Sequence, residues 1–240
     1  MLDVSFGLYR SLFVTLLVVA VIVHVLPTLL GVYLQTSGQI FSLWAVTLAY
    51  FLLAAILSSL GVAATTHIVS EAYLGRRISA GEALGRAVSL LWRLIVISVL
   101  TWLLVSIGFM LLVVPGVILL SGLLLASVVM VVETPSRATA AMARSWELTR
   151  GYRGKVFGTV FLAFLLLMIP GVAVGAIWSV VGGGGAAAGP PSLVAEVLTA
   201  VLQVLVYPYV YTVVTLVYYD LRIRKEGFDL ELLAAASQTA

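Results

Sequence analysis

The sequence predicts an all-α protein, a polytopic membrane helical bundle with six transmembrane helices arranged as hairpin repeats, together with cytoplasmic amphipathic helices. The first observation is composition, because 62% of the 240 residues are hydrophobic and 10% are charged. Ordinary soluble domains have roughly 45–50% and 25%. The second observation is that the charges fall in short segments separated by long uncharged runs. Each run exceeds the about 20 helical residues that cross a bilayer.

The first uncharged run lies between Arg10 and Glu71 and predicts two spans, at about 11–33 and 42–69. The break is expected at QTSGQ, residues 35–39. The apolar run after Arg10 is longer than the roughly 7–15 residues of a signal-peptide core. We therefore expect it to remain as a first span.

The second run, after the charged residues that end at Arg93, predicts spans at about 94–114 and 117–132. It is too long for one crossing and just long enough for two short ones. We expect the chain to turn at Pro115-Gly116, because proline and glycine interrupt helices.

The third run, in which Glu196 is the one charged residue, predicts spans at about 156–181 and 193–219, joined by the glycine-rich residues 182–191. Pro170 predicts a kink in the fifth span, with a short helical break as the alternative. A cytoplasmic tail follows at 220–240.

All 13 Lys and Arg residues lie on one side of this arrangement. The positive-inside rule assigns that side to the cytoplasm, so both termini are expected there. Basic residues at the edges of apolar spans are topology determinants that face anionic lipid headgroups, and we expect no nucleic-acid partner.

Two charged segments, at about 79–93 and 135–150, are predicted to be amphipathic cytoplasmic helices. Ser79 and Glu82 have the spacing of a capping box. Thr134 before Pro135 predicts the start of the second helix, and Gly151 its end. A shift of the sequence by 58 positions superimposes the apolar faces of the two segments. This match predicts a repeat unit of one amphipathic helix and a two-span hairpin, in parallel orientation.

The polar residues on the cytoplasmic side form a candidate interaction face. Glu147 lies three residues from both Arg144 and Arg150, a spacing that allows ion pairs along one helix. With the two amphipathic helices side by side, the face would meet anionic headgroups, a protein partner or a second copy. The alternative is that it is simply the solvated side of interfacial helices. Its members are Arg86, Arg144, Trp146, Glu147, Arg150, Asp220, Arg222 and Arg224.

A second candidate site is intramembrane and polar, and comprises His24, Gln203, Tyr207 and Tyr211. Ionisable groups inside a membrane are often functional. The alternatives are a neutral histidine hydrogen-bonded between helices and tyrosines that pack around Pro208. The chain lacks cysteine and the common catalytic and metal-binding motifs. We therefore expect no enzyme activity, cofactor or metal.

Two motifs, SWELTRG at residues 145–151 and YYDLRIRKEGFDLE at 218–231, resemble signatures of the glycerophosphoryl diester phosphodiesterase membrane domain family and related uncharacterised prokaryotic multi-pass proteins. The resemblance covers about residues 82–231. It implies a six-span protein of the cytoplasmic membrane that acts as an anchor or accessory module. It implies no hydrolase activity, since no stretch here is long enough for the soluble phosphodiesterase barrel.

These observations predict a non-enzymatic integral membrane protein that serves as a scaffold, anchor or accessory module. The alternative is a carrier or flippase-like transporter for a lipidic or small apolar substrate, which parallel repeats and proline kinks favour. A membrane-embedded phosphodiesterase ranks third.

Overall fold

The computed structural model describes residues 2–36, 44–181 and 193–227. The described chain is helical almost throughout and contains no strand. Its helices are α1 (Leu2–Thr36), α2 (Trp44–Tyr73), α3 (Ala80–Ser89), α4 (Leu91–Leu111), α5 (Val113–Leu123), α6 (Ala126–Val132), α7 (Ala138–Thr149), α8 (Arg153–Val181) and α9 (Leu193–Glu226). The predicted connection at 182–191 and the tail beyond 227 lie outside the described residues, as does most of QTSGQ.

Six segments among the described residues are long and apolar enough to cross a membrane. They are Ser5–Leu34, Trp44–Tyr73, Leu91–Leu111, Val113–Val132, Arg153–Ile177 and Val204–Glu226. The predicted all-α polytopic bundle is therefore confirmed. Large apolar side chains such as Phe51, Trp102 and Met110 are exposed on the spans, as expected for helices surrounded by lipid.

Arginine and lysine lie where α1, α4 and α8 begin and where α2, α6 and α9 end. We call this the basic end of the bundle. Most of the fully buried side chains lie in the half of the bundle next to it. In α1 they are concentrated between Leu12 and Val23, in α2 between Ala63 and Val69, and in α9 between Val213 and Leu221. The helices therefore pack most completely near the basic end.

The turn between α4 and α5 lies at Leu112, not at the predicted Pro115-Gly116. Pro115 is instead in the first turn of α5, where a missing N–H costs no helical hydrogen bond. Glycines allow the close approach of the two helices, because a Cβ on Gly108 would lie 2.9 Å from the Cα of Gly116. The expected turn is wrong because proline acts there as a helix start.

The predicted fourth span, 117–132, is divided between α5 and α6 by an interruption at residues 124–125. The Gly122 carbonyl lies in the last turn of α5, where carbonyls lack intrahelical donors. The hydroxyls of Ser145 and Thr149 donate to it over 2.8 and 3.4 Å. Helix α7 therefore compensates for the interruption.

The ends of α3 and α7 differ in part from prediction. The capping box is confirmed, since the Glu82 N–H donates to Ser79 Oγ over 3.2 Å and the Ser79 N–H donates to Glu82 Oε2 over 2.8 Å. Helix α3 ends at Ser89, short of the predicted residue 93. The predicted start of α7 at Thr134 is wrong, because Thr134 has φ 46° and Arg137 is the N-cap. Gly151 has φ 88° after α7, as predicted.

Helix α8 continues without interruption from Arg153 to Val181 and passes through Pro170. The alternative of a helical break at Pro170 is therefore wrong.

A Gly122→Ala substitution should destabilise the protein, because the added methyl group would overlap the six-membered ring of Trp146. Overpacking of this kind costs about 1–3 kcal/mol. The matched control is Gly158→Ala in α8, where an added Cβ meets nothing within 4 Å. Thermal unfolding in detergent measures both, and equal midpoints for the two variants would contradict the close contact.

Candidate interaction surface at the basic end

Helix α7 lies between the membrane spans and the charged residues of the basic end. Its buried residues are Ala141, Met142, Ser145, Leu148 and Thr149. This side packs against α4, α5, α6 and α9. Since Ser145 and Thr149 are bound to Gly122, the position of the whole helix is fixed from its buried side.

Arg144, on the other side of α7, lies between two carboxylates from distant parts of the chain. Its Nε donates to Glu133 at 3.2 and 3.1 Å, and its Nη2 pairs with Glu226. Glu226 also pairs with Arg222 at 3.1 Å. Tyr218 completes a ring of contacts, because its hydroxyl donates to Glu133 over 2.8 Å and accepts from Arg222 over 3.5 Å. We call these five residues the Arg144 ring.

The Arg144 ring is electrically neutral, because two glutamates balance two arginines. Its charged side chains are between 16% and 28% exposed. Partial burial by itself would lower the pKa of Arg144, but the hydrogen bonds to Glu226 and Glu133 and their charges raise it above its usual value. Arg144 is therefore charged at every physiological pH, and the ring joins the end of α6, the middle of α7 and the end of α9.

A second set of contacts joins α9 to α8 and to the end of α7. Asp220 pairs with Lys155 at 2.6 Å and with Arg224 at 2.9 Å. Lys225 donates to the Glu147 carbonyl over 2.6 Å. That carbonyl lies in the last turn of α7, where a cation is favoured by the helix dipole.

Trp146 connects α7 to the spans. Its ring lies against Gly122 in α5, and the Arg153 guanidinium carbon lies 3.7 Å from the ring centroid. This distance is within the about 6 Å range of cation–π attraction. The Nε of Arg153 is buried and has no hydrogen-bond acceptor among the described residues.

The structure divides the predicted interaction face. Arg144, Arg222 and Arg224 are engaged in ion pairs within the chain, as is Asp220. Arg144 pairs with Glu133 and Glu226, whereas the sequence spacing indicated Glu147. Arg86, Glu147 and Arg150 are exposed, and Trp146 is half-buried.

Helices α3 and α7 also have different neighbours. Helix α3 packs against α1, α2 and α4, whereas α7 packs against α4, α5, α6 and α9. Helices α3 and α7 therefore pack mainly against different elements, and not side by side as the expected single face requires.

Sequence reasoning missed several members of this surface, notably Glu133, Glu226, Arg153 and Tyr218. Local spacing gave no signal for the first two, because their partner is 11 and 82 positions away in Arg144. The available signal was that Glu133 lies at the end of the fourth span and Glu226 at the end of the sixth.

The intramembrane candidates lie where α1 and α9 meet. The His24 ring stacks on Tyr207 with centroids 4.8 Å apart, and Tyr207 stacks on Tyr211 at 6.2 Å. His24 Nδ1 lies 3.2 Å from the Ala20 carbonyl of its own helix. The side chain of Gln203 lies outside the described part of the structure. Three of the four residues are thus brought together, in an arrangement typical of helix packing.

Two cavities lie in another part of the bundle. One of about 190 Å³ is lined by α4, α5 and α6 and includes Ser98, Thr101 and Ser127. The Thr101 hydroxyl is buried there without a partner among the described residues. The other, of about 380 Å³, is an apolar groove lined by Leu104, Leu119, Leu123, Met142, Ala143 and Trp146, with Thr139 at one side. Within the described residues, no group of three His, Asp or Glu side chains could hold a metal ion.

An Arg144→Gln substitution should destabilise the protein by about 1–3 kcal/mol. It leaves Glu133 and Glu226 as partly buried carboxylates with one compensating arginine, and removing one partner of a fully buried pair costs about 3–5 kcal/mol. Solvent exposure reduces that cost. Arg150→Gln, at an exposed site of the same helix, should change stability by less than about 0.5 kcal/mol.

The double variant Arg144→Gln/Glu226→Gln tests the coupling, because it restores neutrality and should recover part of the loss. Chemical or thermal unfolding in detergent provides the measurement. Strictly additive effects of the two single substitutions would show that Arg144 and Glu226 are not energetically coupled.

The chain was compared with protein-family models and with solved structures. No solved structure matches it. The model of an uncharacterised protein family, UPF0259, matches residues 32–179, which is more than half of the 240 residues. The matched region runs from the end of α1 into α8 and includes α7 and Arg153. The chain therefore belongs to the uncharacterised protein family UPF0259.

Proposed function

We propose that this protein is a non-enzymatic scaffold or accessory module of a prokaryotic cytoplasmic membrane, and that its basic end binds anionic lipid headgroups. One observation carries the proposal. The ion pairs of the basic end neutralise the carboxylates of the Arg144 ring and Asp220, while a further set of arginines is exposed at the same end. These are Arg77, Arg86, Arg93, Arg137 and Arg150.

The surface around α3 supports this proposal. Arg86 and Arg93 flank two exposed apolar side chains, Val88 at 57% and Trp92 at 75% exposure. Apolar residues beside arginine are typical of helices that lie in the membrane interface. Each basic residue near an anionic leaflet contributes about 1 kcal/mol of attraction. A protein partner or a second copy would use the same exposed arginines and is an alternative occupant.

The proposed accessory role agrees with the resemblance to the glycerophosphoryl diester phosphodiesterase membrane domain, which we retain as part of the proposal. It also agrees with the predicted repeat, since each amphipathic helix follows one span and precedes another, in the orders α2–α3–α4 and α6–α7–α8.

The proposed orientation places the basic end in the cytoplasm. The chain has no cysteine, so a single Ser136→Cys variant reports one position. Ser136 is exposed at the basic end. We expect no labelling by a membrane-impermeant thiol reagent in intact cells and full labelling after permeabilisation. Thr36→Cys and Gly185→Cys, in the uncharged connections, should label in intact cells. The reverse pattern would refute the orientation.

Substitution of four exposed arginines, Arg77→Gln/Arg86→Gln/Arg93→Gln/Arg150→Gln, should lower the preference for anionic over zwitterionic lipid by about tenfold or more. Native mass spectrometry of protein released from mixed vesicles measures the bound lipids. Glu147→Gln is the control, because it removes a negative charge from the same end. It should raise the preference for anionic over zwitterionic lipid. An unchanged preference in the fourfold variant would refute headgroup binding.

The alternative function is a carrier for a lipidic substrate. The cavity at Ser98, Thr101 and Ser127 favours it, because the buried Thr101 hydroxyl, which has no partner among the described residues, is available to a polar group inside the membrane. The same vesicles distinguish the two functions, since a carrier would move a fluorescent phospholipid between leaflets and a scaffold would not.

A further inference from the structure

The apolar groove between α4, α5 and α7 ends at a residue that also contacts a cation. Trp146 lines the groove, and the Arg153 guanidinium lies over the same indole ring at 3.7 Å. The groove volume of about 380 Å³ is in the range of about 300–1,000 Å³ found for small-molecule sites. An apolar groove and a cation thus lie next to each other at Trp146.

We propose that this groove is a specific site for one anionic phospholipid, with an acyl chain against α4, α5 and α7 and the phosphate on Arg153. The inference rests on the proposed function and deepens it, because it assigns a defined site to one lipid in addition to the diffuse attraction of the basic end.

Arg153 is available to an external anion because the neighbouring acids are already engaged. Asp220 pairs with Lys155 and Arg224, and Glu226 belongs to the Arg144 ring. None of the described carboxylates pairs with Arg153, and its Nε has no acceptor among the described residues.

The backbone adds to the attraction for a phosphate. Arg153 is the first residue of α8, a helix of 29 residues. The first N–H groups of a helix have no intrahelical acceptors, and its dipole favours an anion there. Guanidinium binds phosphate through two parallel hydrogen bonds. The cation–π contact with Trp146 holds the guanidinium group in place, and its terminal N–H groups are left for the phosphate.

The wall of the groove is held in place from behind. Trp146 lies against Gly122, and Ser145 and Thr149 bind the Gly122 carbonyl. Ala143, an exposed residue of α7, lies in the groove lining. A larger side chain at Ala143 would therefore fill the groove without entering the packed core.

The test uses the full chain in vesicles that contain phosphatidylglycerol or phosphatidylcholine with a photoactivatable group in one acyl chain. We expect phosphatidylglycerol to crosslink to the groove residues of α4, α5 or α7, and phosphatidylcholine to do so at least about tenfold less, because the trimethylammonium group of choline cancels the charge of its own phosphate. Arg153→Gln should reduce the phosphatidylglycerol crosslink by about tenfold, and Arg153→Lys by less, because lysine keeps the charge but loses the planar fork.

Ala143→Trp should abolish the groove crosslink while Arg153 is intact. Its matched control is Ala140→Trp, at an exposed position of the same helix outside the groove lining, which should leave the crosslink unchanged. Thermal unfolding of each variant verifies that it is folded, and only variants that unfold like the parent are compared.

Equal crosslinking of both lipids, or an unchanged crosslink in either Arg153→Gln or Ala143→Trp, would overturn the inference. Crosslinking of the groove to a second copy alone would do the same. The fourfold arginine variant distinguishes failure of the groove site from failure of the proposed headgroup binding. If it loses general anionic preference while Arg153→Gln has no effect, the groove site fails and headgroup binding by the basic end stands.

Discussion

The arrangement of the basic end depends on how charges are neutralised at the edge of an apolar bundle. A charge that is removed from water must be paired and hydrogen-bonded, or its burial costs several kcal/mol. The Arg144 ring meets this condition with two glutamates, two arginines and one tyrosine hydroxyl. Because its members come from the end of α6, from α7 and from the end of α9, neutralising them also fixes these three elements relative to one another.

The position of α7 has consequences for the spans. With Arg144 held on one side and Ser145 and Thr149 bound to Gly122 on the other, α7 cannot slide along α5 without breaking both sets of contacts. Trp146 is therefore held over Gly122 and under Arg153. The interruption between α5 and α6 and the wall of the apolar groove thus depend on the same short helix.

The sequence was sufficient to predict the six spans, because placing a charge in hydrocarbon costs a large free energy and spans therefore appear as uncharged runs. The length of each run shows how many crossings it can make. The Ser79–Glu82 capping box was predictable for a similar reason, since it involves only neighbours in the chain. The turn at Leu112 and the partners of Arg144 were not. Proline is compatible both with a turn and with the start of a helix, so the local sequence does not show which of the two Pro115 adopts. The close approach of Gly108 to Gly116 places Pro115 at the start of α5. Glu226 is adjacent to Arg144 only after α9 has returned to the basic end.

Helices α3 and α7 each lie between two spans, yet their charges are used differently. In α7, Arg144 forms ion pairs with Glu133 and Glu226 inside the Arg144 ring. Dissolved salt screens these partly buried pairs only weakly. In α3, Arg86 is exposed beside Val88, and Trp92 is exposed just beyond. Attraction between exposed charges is screened over about 8 Å at physiological ionic strength. The proposed interactions of the α3 surface with a membrane should therefore weaken as salt rises, whereas the position of α7 and the groove behind it should persist. Similar sequence patterns thus give one helix with exposed charges and another that organises the bundle.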